Sequence, residues 1–168
     1  MPSSAVSLRL RTSNGSEARA LLETPFSSSP PLSAPLSPPP SSPLSLVILC
    51  PPHPLLSAST SSHVVRAAAA AMQARNALTL TLTFRRDVLA PAQLLVANAA
   101  ELDAAITYAA ASQPDLPLLL WGYSWGAAVA VTVAASDTRI HSLMLVSPPL
   151  RGDWLGTCLL YTSPSPRD

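Results

Sequence analysis

The 168 residues carry 10 basic and 9 acidic side chains and are 48% hydrophobic. A chain of this size can bury one modest core, and its near-neutral charge excludes an electrostatic case for nucleic acid or an anionic membrane as partner. Two cysteines, Cys50 and Cys158, are too few for a disulfide framework, and no basic segment followed by an apolar one opens the chain as a secretory signal would. The expectation is a cytoplasmic protein, with an organellar transit role left open for the Ser- and Arg-bearing start and with the oligomeric state undetermined.

Residues Val6 to Arg11 alternate apolar with polar, Asn14-Gly15 supplies a turn dipeptide, and Ala18 to Leu22 resumes the pattern before Pro25, so residues 6–25 read as a β-hairpin. Residues 26–43 are almost entirely serine, proline and leucine. Such a composition cannot build its own core and is expected to be a disordered insertion between the second and third strands. Leu46 to Cys50 is a short apolar run suited to a buried strand, closed by Pro51-Pro52-His53-Pro54.

Ser59 to Ser62 offers capping side chains for a helix over His63 to Asn76, and Leu78 to Phe84 alternates leucine with threonine as a strand does. Pro91 can open the next helix at its first position, and Pro114 stops it. After Pro117 comes another apolar run, Leu118 to Trp121, followed by Gly122-Tyr123-Ser124-Trp125-Gly126 and an alanine-rich helix to about Ser136. Ile140 to Val146 is a last strand, ended by Ser147-Pro148-Pro149. Alternation of strand and helix from Leu46 onward predicts an α/β fold with a mostly parallel, doubly wound sheet, its ligands bound beyond the carboxyl ends of the strands.

One stretch states a chemistry. In G-x-S-x-G the serine sits on a turn so sharp that the positions two before and two after it must be nearly free of side chain, as Gly122 and Gly126 are. Strand, turn and helix then project the Ser124 hydroxyl above the sheet and aim the Trp125 main-chain N–H at an oxygen that becomes negative during acyl transfer. Ser124 is therefore the candidate nucleophile. A membrane span over Leu118 to Ala135 is the competing reading of the same apolar length, and the glycines, serine and tyrosine at its middle argue against it.

These residues resemble the α/β-hydrolase superfamily, and within it a group of serine hydrolases with a His-Pro-like loop after the third strand. Pro51-Pro52-His53-Pro54-Leu55, Phe84-Arg85-Arg86, Gly122-Tyr123-Ser124-Trp125-Gly126-Ala127 and Ser147-Pro148-Pro149-Leu150 carry the resemblance. It implies a partial α/β-hydrolase fold over residues 44–157, preceded by the N-terminal hairpin. The oxyanion hole would use the N–H of Trp125 with that of Leu55, Tyr123 would complete the elbow, and His53 and Pro148 would line the cleft. The substrate implied is a small-molecule carboxylic ester or thioester. The rival from another class is a non-catalytic binding or scaffold protein that uses the same cleft.

The resemblance also implies an acid and then a histidine after the serine. His141 lies inside a predicted strand, and Asp153 is a weak substitute for the acid. Glu101 and Asp103, two apart on a helix, cannot form a working pair and are expected on a solvated face. Cys158 to Asp168 resembles a translated sequencing-library adapter, and residues 1–5 are expected to be a scar of the same kind. A chain truncated near Thr157 would then lack the strands that carry the acid and histidine. Neither a metal nor an organic cofactor is expected, because no histidine cluster or glycine-rich phosphate loop is present.

Overall fold

The structure, a computed structural model, describes residues 4–25, 42–54, 62–85 and 90–149. The Pro/Ser segment apart from residues 42–43, together with Leu55, Ser59 to Ser61, Arg86, Leu150, Asp153 and both proposed adapter segments apart from residues 4–5, lies outside the described residues.

The hairpin is β1 (Ala5–Arg11) and β2 (Glu17–Glu23), paired antiparallel from Ala5 opposite Glu23 to Arg11 opposite Glu17. Its turn is closed by side chain as well as backbone. The Asn14 Oδ1 accepts the Ser16 N–H at 3.1 Å, and Gly15 takes φ +82°, a value that a residue with a side chain resists.

The remaining elements are β3 (Ser45–Cys50), α1 (His63–Gln73), β4 (Ala77–Thr83), α2 (Pro91–Ser112), β5 (Leu118–Tyr123), α3 (Trp125–Ala134) and β6 (Ile140–Val146). They form one six-stranded sheet in the order β1-β2-β4-β3-β5-β6. From β4 to β6 every pairing is parallel, and the hairpin joins antiparallel through β2 and β4.

Strand period two sends alternate residues to opposite faces, and both faces are covered. Leu46, Ile48 and Cys50 of β3, Leu78, Leu80 and Leu82 of β4 and Leu118 and Leu120 of β5 pack with α2 and α3 in one cluster. Val47, Leu49, Ala77 and Trp121 pack with Val65 and Ala69 of α1 in another. Leu-Thr alternation in β4 would ordinarily mark a strand with one wet face. Here Thr79 is buried under α1 and its hydroxyl accepts the Gln73 Nε2 at 2.8 Å, which gives each buried polar side chain a partner.

Pro91 occupies the first turn of α2, where its missing N–H costs nothing. Ser62 takes the N-cap position of α1 but makes no capping hydrogen bond with its side chain, contrary to the expectation from its residue type. By length and composition α2 could cross a membrane, yet Leu94, Leu102, Ala105, Ile106 and Ala109 form a buried stripe against the sheet. Helical periodicity accounts for that stripe.

At the far side of the sheet the β5–β6 register slips by one residue. Leu118 pairs with Ile140 and Leu119 with Ser142, leaving His141 as the extra residue of a bulge. Its Nδ1 accepts the Leu118 N–H at 3.2 Å. Among the described residues β6 is an edge strand, and Leu143, Met144 and Leu145 are exposed on it.

Candidate active site

Ser124 lies between the last residue of β5 and the first of α3 with φ 54° and ψ −118°. For a residue with a side chain this is a sparsely populated conformation, outside even the left-handed helical well. Two contacts hold it there. The Ser124 N–H donates to the Val146 carbonyl at the end of β6 at 2.9 Å, and the Ser124 carbonyl accepts the Ala127 N–H at 2.9 Å in the first turn of α3.

The two flanking glycines have separate steric reasons. A Cβ at Gly122 would lie 2.6 Å from the Ala127 Cα and 2.7 Å from the Gly126 carbonyl oxygen, inside the turn itself. A Cβ at Gly126 would fall on the carbonyl groups of Cys50 and Pro51. The second glycine therefore lets α3 seat directly on the end of β3, bringing the Pro51–Pro54 segment to the elbow.

Around Ser124, which is half-buried, three strand ends meet. His53 packs edge-on against the Trp125 indole with ring centroids 5.2 Å apart. Its partial burial pushes the imidazole pKa below 6.5, favouring the neutral ring at neutral pH. Pro148 follows β6, two residues beyond the Val146 carbonyl that holds Ser124. Tyr123 turns to the other face, where it packs against the α1-side cluster with its ring 6.4 Å from that of Trp121. It is an elbow residue by position, while its side chain belongs to the core beneath α1.

His141 is at the opposite end of the sheet. It touches Leu118, the first residue of β5, whereas Ser124 follows the last, a span of roughly 20 Å at ~3.3 Å per strand residue.

Glu101 is corrected by the structure. In place of the expected solvated helix face, it is 1% exposed and sits in the buried stripe of α2. Its carboxylate accepts the Arg85 Nε at 3.0 Å, the Arg85 N–H at 3.3 Å and the Asn98 Nδ2 at 3.0 Å. Burial raises its pKa, and the hydrogen bonds and charge of Arg85 with the amide of Asn98 oppose that rise. Asn98, wholly buried, uses its Oδ1 to accept the Trp125 Nε1–H at 2.9 Å. Asp103 is half-buried, its side chain 49% exposed and reaching Arg139 at 3.2 Å.

Motif reading misses Asn98. The signal that could have found it is spacing: Leu94, Asn98, Glu101, Leu102 and Ala105 fall on one helical stripe, which marks two polar residues as buried and in need of partners.

No family model matches this chain, and no curated protein does. Solved structures do. A lidless α/β serine hydrolase from Xanthomonas campestris superposes with a TM-score of 0.72 at 21% identity, over 92% of this chain and 66% of its own. An α/β serine hydrolase homologue from Coxiella burnetii gives 0.70 at 18% identity, over 91% and 67%. An esterase from Pyrococcus furiosus gives 0.67 at 15%, over 92% and 54%. The chain thus spans about two thirds of the length of the first two and about half of the third. With its parallel strands, antiparallel leading hairpin and strand-turn-helix at Ser124, the chain has the α/β-hydrolase fold.

Proposed function

We propose that this chain carries the nucleophile half of a serine hydrolase that cleaves a small carboxylic ester or thioester. The observation that carries the reading is the backbone at Ser124: a strained serine held at the carboxyl end of a central parallel strand, directly before a helix. Backbone strain of this kind costs about 1–3 kcal/mol and persists where the surroundings force it. Here Val146, Ala127 and the two glycines supply the force.

In the proposed reaction the Ser124 Oγ attacks the carbonyl carbon, and its proton passes to a general base. The carbonyl oxygen becomes an oxyanion, stabilised by the Trp125 N–H and by a second donor for which Leu55 is the candidate. Collapse of the tetrahedral species expels the alcohol or thiol and leaves an acyl-serine, which water then hydrolyses by the same steps. His141 is too distant to serve as the base. We assign the base and its acid to the share of the neighbours' fold that this chain does not match. The Pyrococcus furiosus neighbour is an esterase, which supports the choice of an ester as substrate class.

A fluorophosphonate probe tests the reading on this chain and on the complete gene product. Covalent labelling that disappears in Ser124→Ala supports a hydrolase. A folded complete product that stays unlabelled supports the scaffold reading instead.

A further inference from the structure

The buried polar chain from Arg85 to Trp125 has no part in the chemistry just described, yet it ends on the residue after the nucleophile. Its direction is fixed by what each group can do. An indole N–H only donates, a guanidinium only donates, and an ionised carboxylate only accepts. A residue that stands between Trp125 at one end and Glu101 at the other must therefore accept from the indole and donate to the carboxylate. Asn98 does so, with Oδ1 toward the indole at 2.9 Å and Nδ2 toward Glu101 at 3.0 Å. Arg85, on the segment leaving β4, then holds the carboxylate from two sides. The arrangement pins a large aromatic ring in one orientation, and His53 packs edge-on against the same ring.

From this geometry we infer that Asn98 is a positioning residue of the oxyanion hole: by holding the Trp125 indole it fixes the orientation of the main-chain N–H at the start of α3, with Glu101 and Arg85 fixing Asn98. The inference rests on Ser124 being the nucleophile. A one-ångström misplacement at such a site is enough to slow a reaction substantially. Without Asn98 the buried indole N–H would lose this acceptor, and with it a restraint on the ring.

The test is a double-mutant cycle on the full chain with two measurements, the fluorophosphonate labelling rate at Ser124 and the 15N–1H resonances of the Trp125 main chain and indole. Asn98→Leu removes the acceptor, and Trp125→Phe keeps an aromatic ring without the N–H. Asn98→Leu is expected to slow labelling about tenfold, short of the ~100-fold loss that follows removal of an oxyanion donor, and to move the Trp125 main-chain resonance. In the Trp125→Phe background, Asn98→Leu should add less than about twofold, because the coupling has already been removed. Equal losses in both backgrounds would show that Asn98 merely supports α2 and would overturn the inference. So would labelling within twofold of the parent.

The general base is assigned outside the matched share of the fold, so a parent chain that is not labelled leaves the hydrolase reading to the complete product, and the resonances then decide the positioning role alone. A Trp125 main-chain shift caused by Asn98→Leu that vanishes for residue 125 in the Trp125→Phe background supports it. An unmoved resonance in the parent background overturns it.

Discussion

A serine at φ 54° and ψ −118° is held against its own preference, and glycine has no such preference to overcome. Ser124→Gly is therefore expected to stabilise the fold by about 1 kcal/mol while removing the nucleophile, whereas Ser124→Ala keeps the strained Cβ and gains nothing. Thermal melts of the two variants beside the parent check this. His53 makes a pH prediction at the same scale. Its folded pKa lies below 6.5, so the folded state binds fewer protons than the unfolded one; the stability this contributes is complete above that value and is lost as pH falls through the folded pKa. Glu101 has the opposite sign, since its pKa is raised above 4.5 and its contribution is lost as pH rises through the folded value. His53→Gln should flatten the fall in denaturation midpoint below pH 6.5, and urea titrations at several pH values would show it.

Packing between elements explains why the pentad cannot be varied freely. Alanine is better than glycine inside a helix by about 1 kcal/mol, so propensity alone favours Gly126→Ala. The Cβ would meet the carbonyls of Cys50 and Pro51, backbone that cannot move without shifting the end of β3. Overpacking of this kind typically costs about 1–3 kcal/mol, and rigid backbone on one side puts this site at the upper end. Net destabilisation of about 2 kcal/mol is expected in chemical denaturation. A gain would mean that α3 is not seated on β3 as described. The Asn98–Glu101 pair belongs to this scale as well: both lie on α2, but their partners come from the start of α3 and the segment after β4.

At the scale of the molecule the sheet is covered on both faces but presents β6 at one edge among the described residues, with Leu143, Met144 and Leu145 exposed. Unpaired strand edges with apolar side chains invite pairing with other chains, and a charged residue blocks it. Met144→Lys should raise the soluble fraction and lower light scattering without changing the unfolding free energy by more than about 0.5 kcal/mol. Unchanged scattering would show that the β6 edge does not drive self-association.

Local pattern was enough to read the hairpin, the buried strands, the proline-opened helix and the place of Ser124 between strand and helix, because each depends on the period and punctuation of neighbouring residues. The bounds of β6, Ile140–Val146, were legible to the residue, since a turn and a proline pair enclose that run. Tertiary structure alone decided which polar residues are buried and by whom they are satisfied. Glu101 looks like a surface carboxylate until the segment after β4 brings Arg85 over it, and Asn98 has no evident task until α3 delivers the Trp125 indole. The physical reason is range. Helix and strand follow from interactions a few residues apart, whereas the partners of a buried donor or acceptor are chosen by chain crossings that no local period records.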